Sequence, residues 1–241
     1  MNRRSLLRAT AAAGVTGVAG CLGVGGSAGD DGGGTGGGGD DGGEAGTAAG
    51  DGQTLETHPA GRSLSTQPTL GPDPAEATAV LVAFEDPSCP RCRRFERQTV
   101  PTIRRELVEP GDAAFVFRGY PVVYEWGKPA TQALEATFAR DEATTWELAG
   151  HYFDQQSSFT TDNVLSKTES FLVETPVDAA TVVADAEERA HDDAVQTDLD
   201  AGDAAGYTAT PTVVMFENGS FVAAVEGAQS YDVYANSLEV A

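Results

Sequence analysis

The chain has 241 residues, with 37 acidic against 15 basic side chains and a formal charge of −22 at pH 7. Such a surface repels nucleic acid and anionic lipid headgroups, so neither is expected as a principal partner. The length accommodates one large domain or two small ones, with a sizeable core in either case.

The N-terminus, MNRRSLLRATAAAGVTGVAGC, has a basic start, an apolar Ala/Gly/Val/Leu stretch and small residues before Cys21. That is the anatomy of an export signal. The stretch from Ala9 to Gly20 is too short and too weakly apolar for a membrane span. Arg3-Arg4 followed by Ser5-Leu6-Leu7 resembles a twin-arginine signal. Val18-Ala19-Gly20-Cys21 resembles a lipobox, in which the cysteine is lipidated and becomes the new first residue. Residues 1–21 are therefore read as a twin-arginine lipoprotein signal, with a lipid on Cys21 holding the chain to the outer face of the cell membrane. From Leu22 to Gln53 there are 16 glycines and six acidic residues. This composition cannot offset its own ordering entropy, and residues 22–55 are expected to be a disordered tether.

Ala79-Val-Leu-Val-Ala-Phe84 is an apolar run rich in β-formers and reads as a buried strand, stopped by Pro87. Pro90 then suits the first turn of a helix, where a missing N–H is harmless. Phe95, Val100, Ile103 and Leu107 continue that helix, with a bend at Pro101. Cys89-Pro90-Arg91-Cys92 thus falls at a helix N-terminus, where unpaired N–H groups and the helix dipole favour a thiolate. Arg91, Arg93, Arg94, Arg97, Arg104 and Arg105 form a positive island, of which Arg91 and Arg93 lie near enough to help ionise Cys89. Cys89 is then the attacking sulfur and Cys92 the resolving one. A CxxC pair also serves zinc sites, but a tetrahedral site needs four ligands, and there is no second pair; His58, His151 and His191 are scattered. No cofactor is implied. Ala113–Arg118 reads as another strand, residues 128–203 as mostly helical, the runs within Tyr207–Phe216 and Phe221–Val225 as a hairpin around Asn218-Gly219, and Ser230–Leu238 as a closing helix. Trp126, Trp146 and Tyr152 lie on apolar helical faces and are assigned to the core.

FEDPSCPRCRRFERQTVPTI resembles the active-site segment of DsbA-like thiol–disulfide oxidoreductases, and Thr210-Pro211-Thr212 resembles the cis-proline loop of the same family. The resemblance implies an α/β thioredoxin-like fold over residues 60–241, with a helical insertion at about 128–203 between the central strand and the cis-proline loop. It also implies that Thr210 and Pro211 lie against the CxxC pair and bind the substrate strand. In that family a buried carboxylate stands six residues before the first cysteine; here that position is Ala83. Glu85 faces the same way if the strand continues, though an exposed loop carboxylate is the expectation. The resulting reading is an exported oxidase of thiol-bearing proteins, re-oxidised by a membrane redox partner. Alternatives are a reductase of the same fold, a copper-binding lipoprotein using the CxxC, and a solute-binding lipoprotein. Abundant Asp, Glu, Ala and Thr, with Lys128 and Lys167 the sole lysines, resembles proteins of salt-loving archaea.

Overall fold

The computed structural model describes residues 52–238. The export signal, Cys21 and the tether up to residue 51 lie outside the described residues.

Five strands form one sheet in the order β1-β3-β2-β4-β5: β1 (Thr69–Leu70), β2 (Ala79–Glu85), β3 (Ala113–Gly119), β4 (Thr212–Glu217) and β5 (Ser220–Glu226). The central strand β2 runs parallel to β3, from Ala79 beside Ala113 to Glu85 beside Gly119, and antiparallel to β4. All seven residues of β2 and of β3 are buried, including Glu85 and Arg118 near their ends, beyond the apolar runs that central strands require. Side chains alternate across β2. Leu81 and Ala83 pack with Phe95, Ile103 and Tyr234, whereas Val82 and Phe84 pack with Tyr120, Ala201 and Tyr207.

Between β2 and β3 the chain forms α1 (Pro90–Gln98) and α2 (Val100–Ile103), with a wide-turn segment over Arg104–Val108. The break at Thr99 stands where expected: Pro101 cannot donate to the carbonyl one turn back. The insertion contains α3 (Gly127–Phe138), α4 (Glu142–Asp154), α5 (Val164–Leu172), α6 (Ala179–Glu188) and α7 (Asp192–Ala204). Its outer limits agree with the sequence reading to within a residue. Asp141 caps α4 by accepting from the Thr144 N–H, and Asp178 caps α6 through Thr181. The insertion has its own core, built on Trp126, Leu134, Leu148, Tyr152, Phe153 and Leu172. Cys89 and Cys92 belong to that cluster, and so sit where the insertion meets the sheet.

Asn218 and Gly219 both take positive φ, at 49° and 73°, which makes the tight two-residue turn between β4 and β5. The closing helix is shorter than expected: α8 spans Tyr231–Ala235. Residues 53–55, expected in the tether, instead bond to the hairpin, with Phe221 N–H donating to the Gln53 carbonyl and Leu55 N–H to that of Gly219.

Candidate active site

Cys89 is the N-cap of α1 and Pro90 occupies the first turn. The Cys89 thiol donates to the Thr210 carbonyl at 3.3 Å, joining segments 121 residues apart. The Thr210-Pro211 peptide is cis. Cys89 and Cys92 are both free thiols. Cys89 is only 4% exposed and helps line an open groove of ≈ 590 Å³. Three chain segments line that groove: Cys89–Arg91, Val122–Val123 and Thr208–Thr210.

The Cys89 thiol is held down to about 6. The first cause is the Cys92 S–H, which donates to it; the Thr210 side chain and the backbone N–H groups of Cys92 and Arg91 reinforce this against the opposing effect of burial. Thr210 Oγ1 is buried and makes no hydrogen bond of its own, leaving its O–H to turn toward a thiolate. Arg91 therefore acts through its main-chain N–H at the helix start. The rest of the arginine island is partly engaged elsewhere. Arg93 Nε donates to the Phe153 carbonyl, Arg97 faces Asp154 and Arg105 pairs with Glu106. Cys92 is fully buried, and burial, followed by Cys89 and Glu85, pushes its thiol well above the ordinary range. One sulfur is thus ionised at neutral pH while its partner keeps a proton. Among the described residues no cluster of three or more His, Cys, Asp or Glu is arranged to hold a metal ion.

Glu85 departs from expectation. It is the last residue of β2 and fully buried, because the strand runs one residue past Phe84 and turns the side chain onto the Ala83 face. Both of its carboxyl oxygens are buried without a hydrogen-bond partner among the described residues, and the neighbouring Glu96 acts on it electrostatically. Burial first, then Glu96 and Cys89, push Glu85 well above the carboxylate range, while burial raises Glu96 to about 7. A second acid beside a buried carboxyl makes it harder still to ionise.

Three further contributors escaped the sequence reading. Gln156, from the insertion, donates through Nε2 to the carbonyls of Pro87 at 2.8 Å and Cys89 at 3.0 Å. Nothing in its local sequence marks it. Val122, Val123 and Tyr124 form an exposed apolar segment beside the groove; the signal was an apolar triplet after Pro121 with no helix or strand periodicity. Asp86 and Ser88 brace that segment, and Asp-Pro-Ser is a turn-forming string in which an Asp side chain commonly accepts a backbone N–H two residues on.

A family model described as Thioredoxin matches residues 64–237. The chain belongs to that family. Disulfide bond formation protein D of Bacillus subtilis (strain 168) is 30% identical over 94 residues, covering 39% of this chain and 41% of that protein. Probable disulfide bond formation protein D of Bacillus anthracis is 27% identical over 96 residues, 40% of this chain and 43% of the relative. The matches therefore span less than half the length of these curated relatives. Among solved structures, oxidised BdbD from Bacillus subtilis aligns with a TM-score of 0.64 at 22% identity, covering 73% of this chain and 92% of that one. α-DsbA1 of Wolbachia pipientis aligns with a TM-score of 0.61 at 19% identity, over 70% and 87%. At these identities the likeness establishes the fold: a thioredoxin fold with a helical insertion.

Proposed function

We propose that the chain is an exported, membrane-tethered thiol–disulfide oxidoreductase working as a dithiol oxidase on other exported proteins. The observation that carries this reading is a thiol held near 6 at a helix start, facing a cis-proline loop across an open groove. The names of the curated relatives, which describe disulfide bond formation, agree with it.

In the oxidising direction a substrate thiolate attacks Cys89 Sγ of the Cys89–Cys92 disulfide. The S–S bond breaks, Cys92 leaves as a thiolate and takes up a proton. A second substrate thiolate then attacks the substrate sulfur of the mixed disulfide and expels Cys89, which leaves readily because it is stable as a thiolate at neutral pH. Two electrons pass from substrate to the cysteine pair, and the substrate gains a disulfide. Glu85, with Glu96, supplies the proton for Cys92 and takes it back on re-oxidation, filling the place that Ala83 leaves vacant. Thr210 and Pro211 seat the substrate strand, and Val122–Tyr124 contact its apolar side chains. Re-oxidation falls to a membrane disulfide carrier, within reach of a chain tethered through a lipid on Cys21.

The test is oxidation of a reduced, unfolded protein by the purified chain, together with titration of its reduction potential against glutathione. An oxidase gives a potential well above the roughly −270 mV of thioredoxin. A value at or below that figure replaces the oxidase with a reductase. Membrane fractionation of the Cys21→Ser chain checks the tether, since release into the soluble fraction is expected.

A further inference from the structure

We propose that Asp86 is the positioning residue of this site: its single buried carboxylate fixes the CPRC loop, the apolar Val122–Tyr124 segment and the start of α3 as one unit facing the substrate. The inference rests on the oxidoreductase reading above and adds how a protein substrate is registered against Cys89.

Asp86 is fully buried. Its Oδ1 accepts from the Ser88 N–H at 2.7 Å and from the Ser88 hydroxyl at 2.6 Å, while Oδ2 accepts from the Val123 N–H at 2.7 Å. Ser88 Oγ in turn accepts from the Tyr124 N–H at 3.0 Å. Two successive backbone N–H groups of the apolar segment are therefore satisfied by the strand–helix loop that carries Cys89. Val122, Val123 and Tyr124 are 48%, 41% and 54% exposed, and belong to no helix or strand that would otherwise set their direction. They supply three of the four large hydrophobic side chains standing exposed among the described residues. The carboxylate also abuts the first residue of α3. A Cβ on Gly127 would lie 2.4 Å from Asp86 Oδ1 and 2.9 Å from Ser88 Oγ, so only glycine lets the helix start so close. The positive end of that helix favours the charge it meets there. Finally, the backbone N–H of Asp86 points at Cys92 Sγ, 3.5 Å away. One residue thus touches the resolving sulfur through its main chain and the apolar segment through its side chain. A buried carboxylate is costly unless its oxygens are paired, and here the pairing sets the separation between Cys89 and the apolar surface. The occupant that fits is an extended protein segment carrying a cysteine with an apolar neighbour; a small thiol does not reach the segment.

The experiment compares thiol exchange with a reduced unfolded protein and with glutathione, in the full chain and in Asp86→Ala, Asp86→Asn and Ser88→Ala. For Asp86→Ala the ratio of protein to glutathione rates should fall about tenfold, carried by a higher KM for the protein. Asp86→Asn keeps an acceptor oxygen and should fall less. Ser88→Ala frees the Tyr124 N–H and removes the hydroxyl donor to Asp86 Oδ1, but keeps the Ser88 and Val123 N–H groups on the carboxylate, and so provides a milder variant if Asp86→Ala does not fold. The pH midpoint of Cys89 alkylation should stay in place, because the groups that ionise Cys89 are untouched. An unchanged ratio in every variant overturns the proposal. So does an equal loss on both substrates with a rising alkylation midpoint, which marks general loosening. An unaltered chain that exchanges with neither substrate instead overturns the oxidoreductase reading itself.

Discussion

Raising the pH through about 6 changes what reduction of the Cys89–Cys92 pair consumes. Below that value both thiols take up a proton, so two electrons travel with two protons and the potential falls by about 59 mV per pH unit, twice the 29.6 mV of a tenfold change. Above it Cys89 remains a thiolate and only Cys92, pushed up by burial, is protonated. One proton then accompanies two electrons, and the slope halves to about 30 mV per pH unit. The sign follows from the lowered thiol: the stabilisation of the reduced form is present above about 6 and lost as pH falls through it. At pH 7 it is worth about 1.4 kcal/mol over an ordinary thiol, or about 30 mV toward the oxidising side. That is an upper bound, since the groove admits water that screens the sulfur. Glutathione redox buffers spanning this range, with the reduced fraction read by alkylation and mass, give the slope; ultraviolet thiolate absorbance gives the midpoint independently. Running Glu85→Gln alongside removes proton exchange by the carboxyl pair. A slope that stays near 59 mV per pH unit up to about pH 8 would refute the assignment of Cys89 as the ionised sulfur.

Cys92→Ala removes the S–H that contributes most to holding Cys89 down, so the midpoint of Cys89 alkylation should rise from about 6 toward the free-thiol range; an unmoved midpoint would shift the cause to the helix N–H groups. Glu85 is held above its ordinary 4.5 in the fold, so the unfolded chain releases that proton first and stability declines as pH rises past that value. Denaturant titrations across pH should show Glu85→Gln flattening the decline, by at most about 1.4 kcal/mol per pH unit. Arg118 and Asp198 are both fully buried and paired, with Asp198 also accepting from the Gly119 N–H and Gln67 Nε2. Asp198→Asn leaves Arg118 without its counter-charge and should cost about 3–5 kcal/mol in urea unfolding; a loss under about 1 kcal/mol would mean the guanidinium is held by the carbonyls of Ala60 and Arg62 alone.

Sheet and hairpin were legible because their signals are local. Ala79–Phe84 is unbroken and apolar, and Asn218-Gly219 suits a turn with two positive φ angles. The CxxC pair and the cis-proline loop were legible as motifs far apart in sequence, and the structure brings Cys89 and Thr210 into contact. Glu85 was misjudged because its burial depends on how far β2 extends, which its pairing with Gly119 of β3 decides. Within the arginine island the misreading was confined to Arg91 and Arg93: Arg93 turns its Nε to the Phe153 carbonyl, and Arg91 acts on Cys89 through its main-chain N–H. Gln156 was invisible: a glutamine two residues past α4 has no signature until the insertion folds onto the CPRC loop.

Glu85 and Asp86 are neighbours that look in different directions, one under the sulfurs and the other toward the apolar segment. Their division of labour depends on where the parallel ladder stops, anchored by the Tyr120 N–H on the Glu85 carbonyl at 2.7 Å. Slipping that ladder by a single position would exchange the two acids, turning the Glu85 side chain outward and that of Asp86 inward. Insertions or deletions between Phe84 and Cys89 should therefore be forbidden to descendants of this chain, even where every cysteine, proline and carboxylate survives.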